Sequence, residues 1–433
     1  MTSIAKRWPL LADIATDHRL ALMLALGFSS GLPFLLIFST QSAWLRQAGV
    51  SLTDIGLMSY VALAYSVKFL WAPVIDRLDL PGLAQLLGRR RAWMLIAQLG
   101  VALGLAGIAF GDPAHQLGWT IACAFFTAFC AATQDVVIDG WRIDAAPTER
   151  QGMMSAAYQL GYRLALLCAG AGAFYIADFA SWKSAYLSMA ALMAAGIGAC
   201  FLATLPDGET GAPAAPRPAL AASFVGPVAD LVRRNGTMLI AILALVAIYR
   251  LPDFVSGVMA NPLYIDLGFS NTDIATVSKL YGVWVGLAGA FAGGLAVSRL
   301  GLMPTLLIGG IAASTSHLML ALLATSGAKI GLLALAVSVE NFAGSFAGTA
   351  LIAYMSSLTS PLFAATQYAI LSSLYALPGK LIGGLSGLMV EHVGYPAFFA
   401  LTSTIGIPVA ALSLLVWRSQ GWKGSPSRPA EAA

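Results

Sequence analysis

Charge is what this sequence has least of. Asp, Glu, Lys and Arg make up 10% of its 433 residues, while hydrophobic residues make up 58%. A soluble domain of this size carries about a quarter charged residues. Leu20–Trp44 contains none, and similar runs recur along the chain. A soluble globular fold is thereby excluded. Cysteine is scarce as well. Cys123, Cys130, Cys168 and Cys200 lie in apolar runs without CxxC or metal spacing, which reads them as small buried hydrophobes. The four histidines, His18, His115, His317 and His392, are far apart in sequence. No nucleophile elbow, phosphate-binding loop or zinc motif is visible, so neither catalysis nor a metal or other cofactor is expected. The basic residues are scattered through short loops with no aromatic-basic patch, which argues against nucleic acid as a partner.

What stands in their place is long apolar stretches and 44 glycines. About 20 apolar residues cross the hydrocarbon layer as a helix. Only helices and closed barrels satisfy their backbone groups there, and these runs are too long for barrel strands. Abundant glycine suits closely packed membrane helices. Twelve spans are predicted, at 20–45, 54–75, 91–111, 117–141, 150–177, 184–205, 236–264, 273–297, 302–325, 329–355, 362–390 and 394–417. Met1–Arg19 is mixed and polar, and the apolar run after it is too long for a cleaved leader. The N-terminus is therefore expected inside. On that orientation sixteen Lys and Arg fall in inside segments, and the outside loops hold only Arg46, Lys183 and Lys329. That bias follows the positive-inside rule and brings both termini to the cytoplasm.

The longest polar break, Pro206–Asn235, contains GETGAPAAPRP and reads as a Pro/Ala-rich linker. It predicts three regions: a first six-helix bundle over 1–205, a cytoplasmic linker over 206–235, and a second bundle with a short tail over 236–433. The halves are related. Leu32-Pro33 is followed by Gly49-Val50-Ser51-Leu52-Thr53-Asp54-Ile55, and Leu251-Pro252 by Gly268-Phe269-Ser270-Asn271-Thr272-Asp273-Ile274, all displaced by 219 positions. In each turn a glycine ends one helix and Ser, Thr or Asp caps the next. Gly161-Tyr162-Arg163 matches Pro378-Gly379-Lys380 more weakly. A parallel repeat of six helices is the architecture of the major facilitator superfamily, an all-α membrane fold of two pseudo-symmetric bundles. Asp76-Arg77 followed by Gly88-Arg89-Arg90-Arg91 resembles that superfamily's cytoplasmic gating signature, with a longer spacing than usual. Ordinary positive-inside charge is the other reading.

Nine Asp, Glu, Lys and Arg residues fall inside the predicted spans beyond their first positions: Lys68, Asp135, Asp139, Arg163, Arg250, Asp253, Lys279, Glu340 and Lys380. Each costs at least about 2.5–3.5 kcal/mol at a lipid-facing helix centre, so they are expected to face protein or water. None lies on spans three, six, nine or twelve, the outer supports of such a fold. Arg250 and Asp253 are three apart on one face and can pair. Asp135 and Asp139 share a face of span four, where two like charges held close favour uptake of a proton by one of them. Asp139 can also join the gate with Asp76, Arg77 and Arg89–Arg91. Asp135 is the expected coupling carboxylate, with Glu340 and Asp253 as further candidates. Permanent structural pairs, Asp135 with Arg163 and Glu340 with Lys380, are the alternative. Gln134 and Asn341 extend the polar lining, and Gln41, Tyr158, Tyr162 and Gln367-Tyr368 are further polar neighbours. Pro33, Pro252 and Pro378 interrupt spans, as bending in alternating access requires.

The motifs Gly27-Phe28-Ser29-Ser30-Gly31-Leu32-Pro33, Lys68-Phe69-Leu70-Trp71-Ala72-Pro73, Gln134-Asp135, Asp139-Gly140-Trp141, Gly161-Tyr162-Arg163, Glu340-Asn341 and Ala365-Thr366-Gln367-Tyr368-Ala369 resemble those of the AmpG-type muropeptide permeases, in the same order across both halves. Lys380 departs from that pattern, which has an Arg after the Gly; the charge is kept without the bidentate fork. The resemblance implies proton-coupled import of anhydro-muropeptides by a bacterial inner-membrane protein, for cell-wall recycling. It implies that Lys68, Arg163, Arg250, Lys279 and Lys380 hold substrate carboxylates, while Gln134 and Asn341 serve sugars or amides. The expected partners are a muropeptide-like small molecule, protons and the lipid bilayer, with the chain as a monomer. A permease for another anionic or sugar-like solute is the competing reading, and a non-transporting receptor or enzyme a lesser one.

Overall fold

The computed structural model describes residues 17–145, 150–203, 220–360 and 363–419. Among these residues the chain is helical and has no strand. Ten helices are long and apolar enough to cross a membrane. In chain order they include span one (His18–Gln47), span three (Arg89–Phe110), span four (Leu117–Arg142), span five (Met153–Phe179) and span six (Trp182–Leu202). Span seven (Met238–Asp266), span eight (Asn271–Leu300), span nine (Leu302–Ser326) and span ten (Ile330–Leu358) follow. Predicted span two falls on the shorter apolar helix Leu52–Val67, and span eleven on Ala364–Gly383. The tenth long stretch, Ser386–Ser419, runs 34 residues, or about 51 Å of helix, well beyond a hydrocarbon layer of about 30 Å. Gly394, at φ 75 and ψ 162, divides it. The part before Gly394 follows span eleven, and the part after it is span twelve.

The described residues form two compact units. Each is close to one sequence half, but Ser51–Ser59 belongs to the second unit and Ser270–Ala275 to the first. These two segments begin at the capping serines of the matched turns of the internal repeat. Gly49 and Gly268 both have positive φ, 82 and 88, and Ser51 and Ser270 cap the helices that follow. In the second unit, Thr53 gives its backbone N–H and its hydroxyl to Glu391 at 3.0 and 2.6 Å. In the first, Thr272 Oγ1 donates to Asp178 at 2.6 Å.

The first unit closes around Met23, Leu26, Met94, Val137, Ile138 and Trp141, and the second around Leu245, Tyr249, Leu306, Leu351 and Tyr354. Glycine sets the helix spacing. A Cβ on Gly27 would lie 2.1 Å from the Tyr158 carbonyl oxygen, and one on Gly161 would lie 1.9 Å from that of Leu24. Spans one and five thus meet backbone to backbone, as small residues permit in membranes. In the second unit Gly379 lies against the Phe254 side chain, where a Cβ would come within 2.5 Å of a ring carbon.

Three spans depart from regular helix where charged residues sit. Lys68 opens a 3-10 turn in span two. Span seven breaks before Pro252, leaving Arg250 at the junction. Lys279 lies in a π-helical stretch, Ile274–Tyr281, of span eight. Span five carries a second π segment at Cys168–Gly172. Such bulges re-aim side chains and cluster at functional sites.

Part of the expected linker, 206–235, is described. Residues 204–219 lie outside those described, but Leu220–Asn235 is a helix docked on span eleven. Gln367, fully buried, joins them. Its amide donates to the Pro227 carbonyl and to Asp230 at 2.9 Å each, and its oxygen accepts from Arg234 at 3.1 Å and from the Ser360 N–H at 2.7 Å. The hydrophobic positions of this stretch recur at helical spacing, and the proline-rich composition just before it hid them. The Gln367 amide and then Arg234 hold the Asp230 carboxyl below its ordinary range. A depressed carboxylate stabilises above its unfolded value and loses that contribution as pH falls through the lower folded one. Docking is therefore expected to persist from pH 7 to pH 5 and to fail only in stronger acid. Gln367→Ala should speed amide exchange over 226–235 about tenfold, as expected when buried hydrogen-bond partners are lost. Hydrogen-exchange mass spectrometry across pH reads both.

Candidate functional site

In the first unit, span four presents Gln134 and Asp135 to different neighbours. Gln134 is fully buried and donates to Ser29 Oγ at 3.3 Å, a packing contact with span one. Asp135 accepts a short hydrogen bond from the Ser30 hydroxyl and pairs with Lys68 Nζ at 3.5 Å. Ser30 Oγ also lies 2.8 Å from the Tyr158 hydroxyl. Tyr65, Tyr158 and Tyr162 all stand within electrostatic reach of Asp135. Phe34 packs against Tyr65 and Tyr162, with ring centroids 5.9 and 6.5 Å away. Trp71 Nε1 donates to Thr133 Oγ1 at 3.1 Å. The carboxylate side chain is 15% exposed and the Lys68 side chain 34%, so the cation is the more accessible partner.

At 3.5 Å and an effective dielectric near 20, this attraction is about 5 kcal/mol. Desolvating the two ions costs several kcal/mol each. The terms are comparable, so the net energy holding the pair is small. Ser30, Tyr65 and Lys68 are the groups that make this site. Of these, the motif Gly27–Pro33 held Ser30, while nothing in sequence distinguished Tyr65.

The alternative pair of Asp135 with Arg163 is not formed; Lys68 takes that place, and Arg163 is exposed. The reason is helix geometry. Tyr158 and Tyr162 share the face of span five toward Asp135, and residue 163 lies about 100° further round.

The second unit gathers Arg250, Asp253, Lys279 and Glu340. Arg250 Nε lies 3.2 Å from Asp253 Oδ2, the local pair expected from their spacing, and Arg250 Nη1 also donates a short bond to the Gly344 carbonyl. Glu340 has Asp253, Lys279 and Arg250 as its charged neighbours, not Lys380, which is half-buried on span eleven. Lys279 Nζ donates to Asn261 Oδ1 at 3.1 Å. Asn341 donates to the Val337 carbonyl of its own helix at 3.0 Å. Sequence reasoning missed His317. It is fully buried on span nine, with Nε2 3.0 Å from Ser256 Oγ and 3.9 Å from Asp253 Oδ1.

The residues expected to form the gate divide. The side chains of Asp76 and Arg77 lie outside the described residues. Arg90 lies over Gly140 of span four, where a Cβ would meet its guanidinium at 2.1 Å. Arg89 pairs with Asp79 at 3.9 Å. Arg91 donates to the carbonyls of Leu87 and Phe201 at 2.6 and 3.3 Å. Asp139 pairs with Arg142 at 3.5 Å.

The sequence model of the Major Facilitator Superfamily matches residues 20–379. The anhydromuropeptide permease of Escherichia coli K12 is 35% identical over 404 residues, covering 93% of this chain and 80% of that one. A putative transporter AmpG 4 of Rickettsia felis is 31% identical over 413 residues, covering 94% and 98%. Among solved structures, a POT family transporter in complex with 5-aminolevulinic acid superposes with a TM-score of 0.69 at 14% identity, covering 93% of this chain and 96% of that one. A D-xylose-proton symporter gives a TM-score of 0.64 at 16% identity, covering 92% and 96%. These structural likenesses concern the fold alone.

Proposed function

We propose that this chain, which belongs to the major facilitator superfamily and within it to the anhydromuropeptide permease family, imports anhydro-muropeptides together with protons. The relationship to the permease of E. coli, over nine-tenths of this chain, is the observation that carries the substrate class. The geometry agrees with it. Such fragments present carboxylates, amides and sugar hydroxyls. The first unit offers Lys68 beside an aromatic and hydroxyl-rich group of Tyr65, Tyr158 and Tyr162. The second offers Arg250 and Lys279 beside carboxylates. Asp135 takes the proton: neutralised, it lets Lys68 turn to a substrate carboxylate, and on release of both the ion pair re-forms. Glu340 and Asp253 serve the same end in the second half. Asp76, Arg77, Arg89–Arg91 and Asp139 form the inner gate. The chain works as a monomer in the inner membrane with both termini in the cytoplasm.

Reconstitution in proteoliposomes tests this reading. An imposed inward proton gradient should drive accumulation of labelled anhydro-disaccharide peptide, and a protonophore should abolish it. Xylose, dipeptides and the peptide-free disaccharide serve as competitors. Uptake of a competitor in place of the muropeptide would assign another substrate, and uptake indifferent to the gradient would remove the proton.

A further inference from the structure

We propose that His317 is the positioning residue of the second half: it holds Asp253 when a substrate carboxylate draws Arg250 away, and a proton that enters with the substrate, in addition to the one on Asp135, is shared between the two. The inference rests on the transport reading above and adds to it the place where the second half stores its charge.

Asp253 stands between two partners. One carboxylate oxygen lies 3.2 Å from Arg250 Nε, the other 3.9 Å from His317 Nε2. The Arg250 side chain is 25% exposed, that of Asp253 15% and that of His317 0%. An anion arriving from the accessible side therefore meets Arg250 first, with Asp253 behind it and His317 sealed at the back. His317 comes from span nine, a supporting helix that otherwise contributes packing, and its Nδ1 has no hydrogen-bond partner among the described residues. The nitrogen that faces the carboxylate is Nε2, so a proton taken up on the unpartnered Nδ1 charges a ring whose other nitrogen already points toward Asp253. Ser256 Oγ, 3.0 Å from Nε2 and 3.5 Å from the Asp253 carbonyl, fixes the ring in that direction.

The charge balance requires such a group. Arg250 and Asp253 together are neutral. A substrate carboxylate on Arg250 leaves one uncompensated negative charge in a poorly solvated place, which is costly. One proton from water cancels it and, with Glu340 already compensated by Lys279, Asp253 and His317 are the adjacent groups that hold it. When substrate leaves, Arg250 returns to Asp253 and the proton departs. The charged and titratable groups facing this pair are Arg250 and Tyr249 from span seven and Glu340, beside Asp253, from span ten. Glu340 is in turn compensated by Lys279.

Two measurements test it, one without substrate. Arg250→Ala imitates withdrawal of the guanidinium. Nitrogen-15 histidine NMR of that variant at pH 7 should show the His317 ring protonated on both nitrogens, with the signal assigned by its loss in R250A/H317Q and reversed in R250A/D253N. Wild-type protein should show it protonated on one. A ring in the same state in wild type and R250A overturns the proposal. The second measurement is transport by His317→Gln, which keeps a donor but cannot take a proton. Gradient-driven accumulation should fall about tenfold, within the usual range of coupling between two binding events. Its pH profile should flatten, and counterflow at equal pH should fall less. Equal loss of accumulation and counterflow with an unchanged pH profile marks a merely structural histidine and also overturns it. Wild-type protein that takes up no muropeptide defeats the transport reading instead, while the NMR result still decides the role of His317.

Discussion

Asp135→Asn is expected to abolish uphill accumulation of substrate while leaving folded protein in the membrane. A gradient of one pH unit is worth about 1.4 kcal/mol per proton, hence about tenfold accumulation for each coupled proton. The variant should give an internal-to-external ratio near one under the same gradient, and exchange of labelled for unlabelled substrate should continue. The reason lies in the contacts of the carboxylate. Ser30 and Lys68 hold it, and Asn keeps the hydrogen bond to the serine but cannot take up or release a proton. Lys68 is then left without its counter-ion. If the pair is structural, removing one partner costs about 3–5 kcal/mol, and the protein should be lost from the membrane, with Lys68→Met restoring it. Accumulation like that of wild type would remove Asp135 from the coupling role, and Glu340→Gln would be the next variant to measure.

Gly161→Leu should have the larger effect on the protein itself. A Cβ there would lie 1.9 Å from the Leu24 carbonyl oxygen and 2.8 Å from the Phe28 nitrogen. Both are backbone atoms, so no side chain can rotate away and spans one and five must separate. Overpacking of a core typically costs about 1–3 kcal/mol, and a backbone clash belongs at or beyond the upper end. The separation would also carry Ser30 of span one away from Tyr158 of span five and disturb the setting of Asp135. The expected result is a sharp drop in folded protein on fluorescence-detected size-exclusion chromatography. Gly198→Leu, where a Cβ meets nothing within 4 Å, should leave the profile unchanged. A normal profile for Gly161→Leu would mean that the two spans are not held at backbone contact.

Much of this architecture could be read from the chain alone. The spans follow from apolar length, the two related halves from Gly49–Ile55 and Gly268–Ile274, and the Arg250–Asp253 pair from a three-residue spacing on one helix. All are local properties, decided by hydropathy, capping and helical periodicity, and so they are written in consecutive residues. Partners across helices are not. That Asp135 meets Lys68 and Ser30 rather than Arg163, that Glu340 meets Lys279 rather than Lys380, and that His317 stands behind Asp253 depend on how far each helix is rotated about its own axis. That rotation is set by where glycines such as Gly27, Gly161 and Gly379 let neighbouring helices touch, and by the π and 3-10 segments that re-aim Lys279 and Lys68. The docking of Leu220–Asn235 by Gln367 is of the same kind, since one buried amide joins stretches more than a hundred residues apart. Composition chose the solvent, and periodicity chose the elements. Close packing between helices, which no single segment encodes, chose the neighbours of every buried charge.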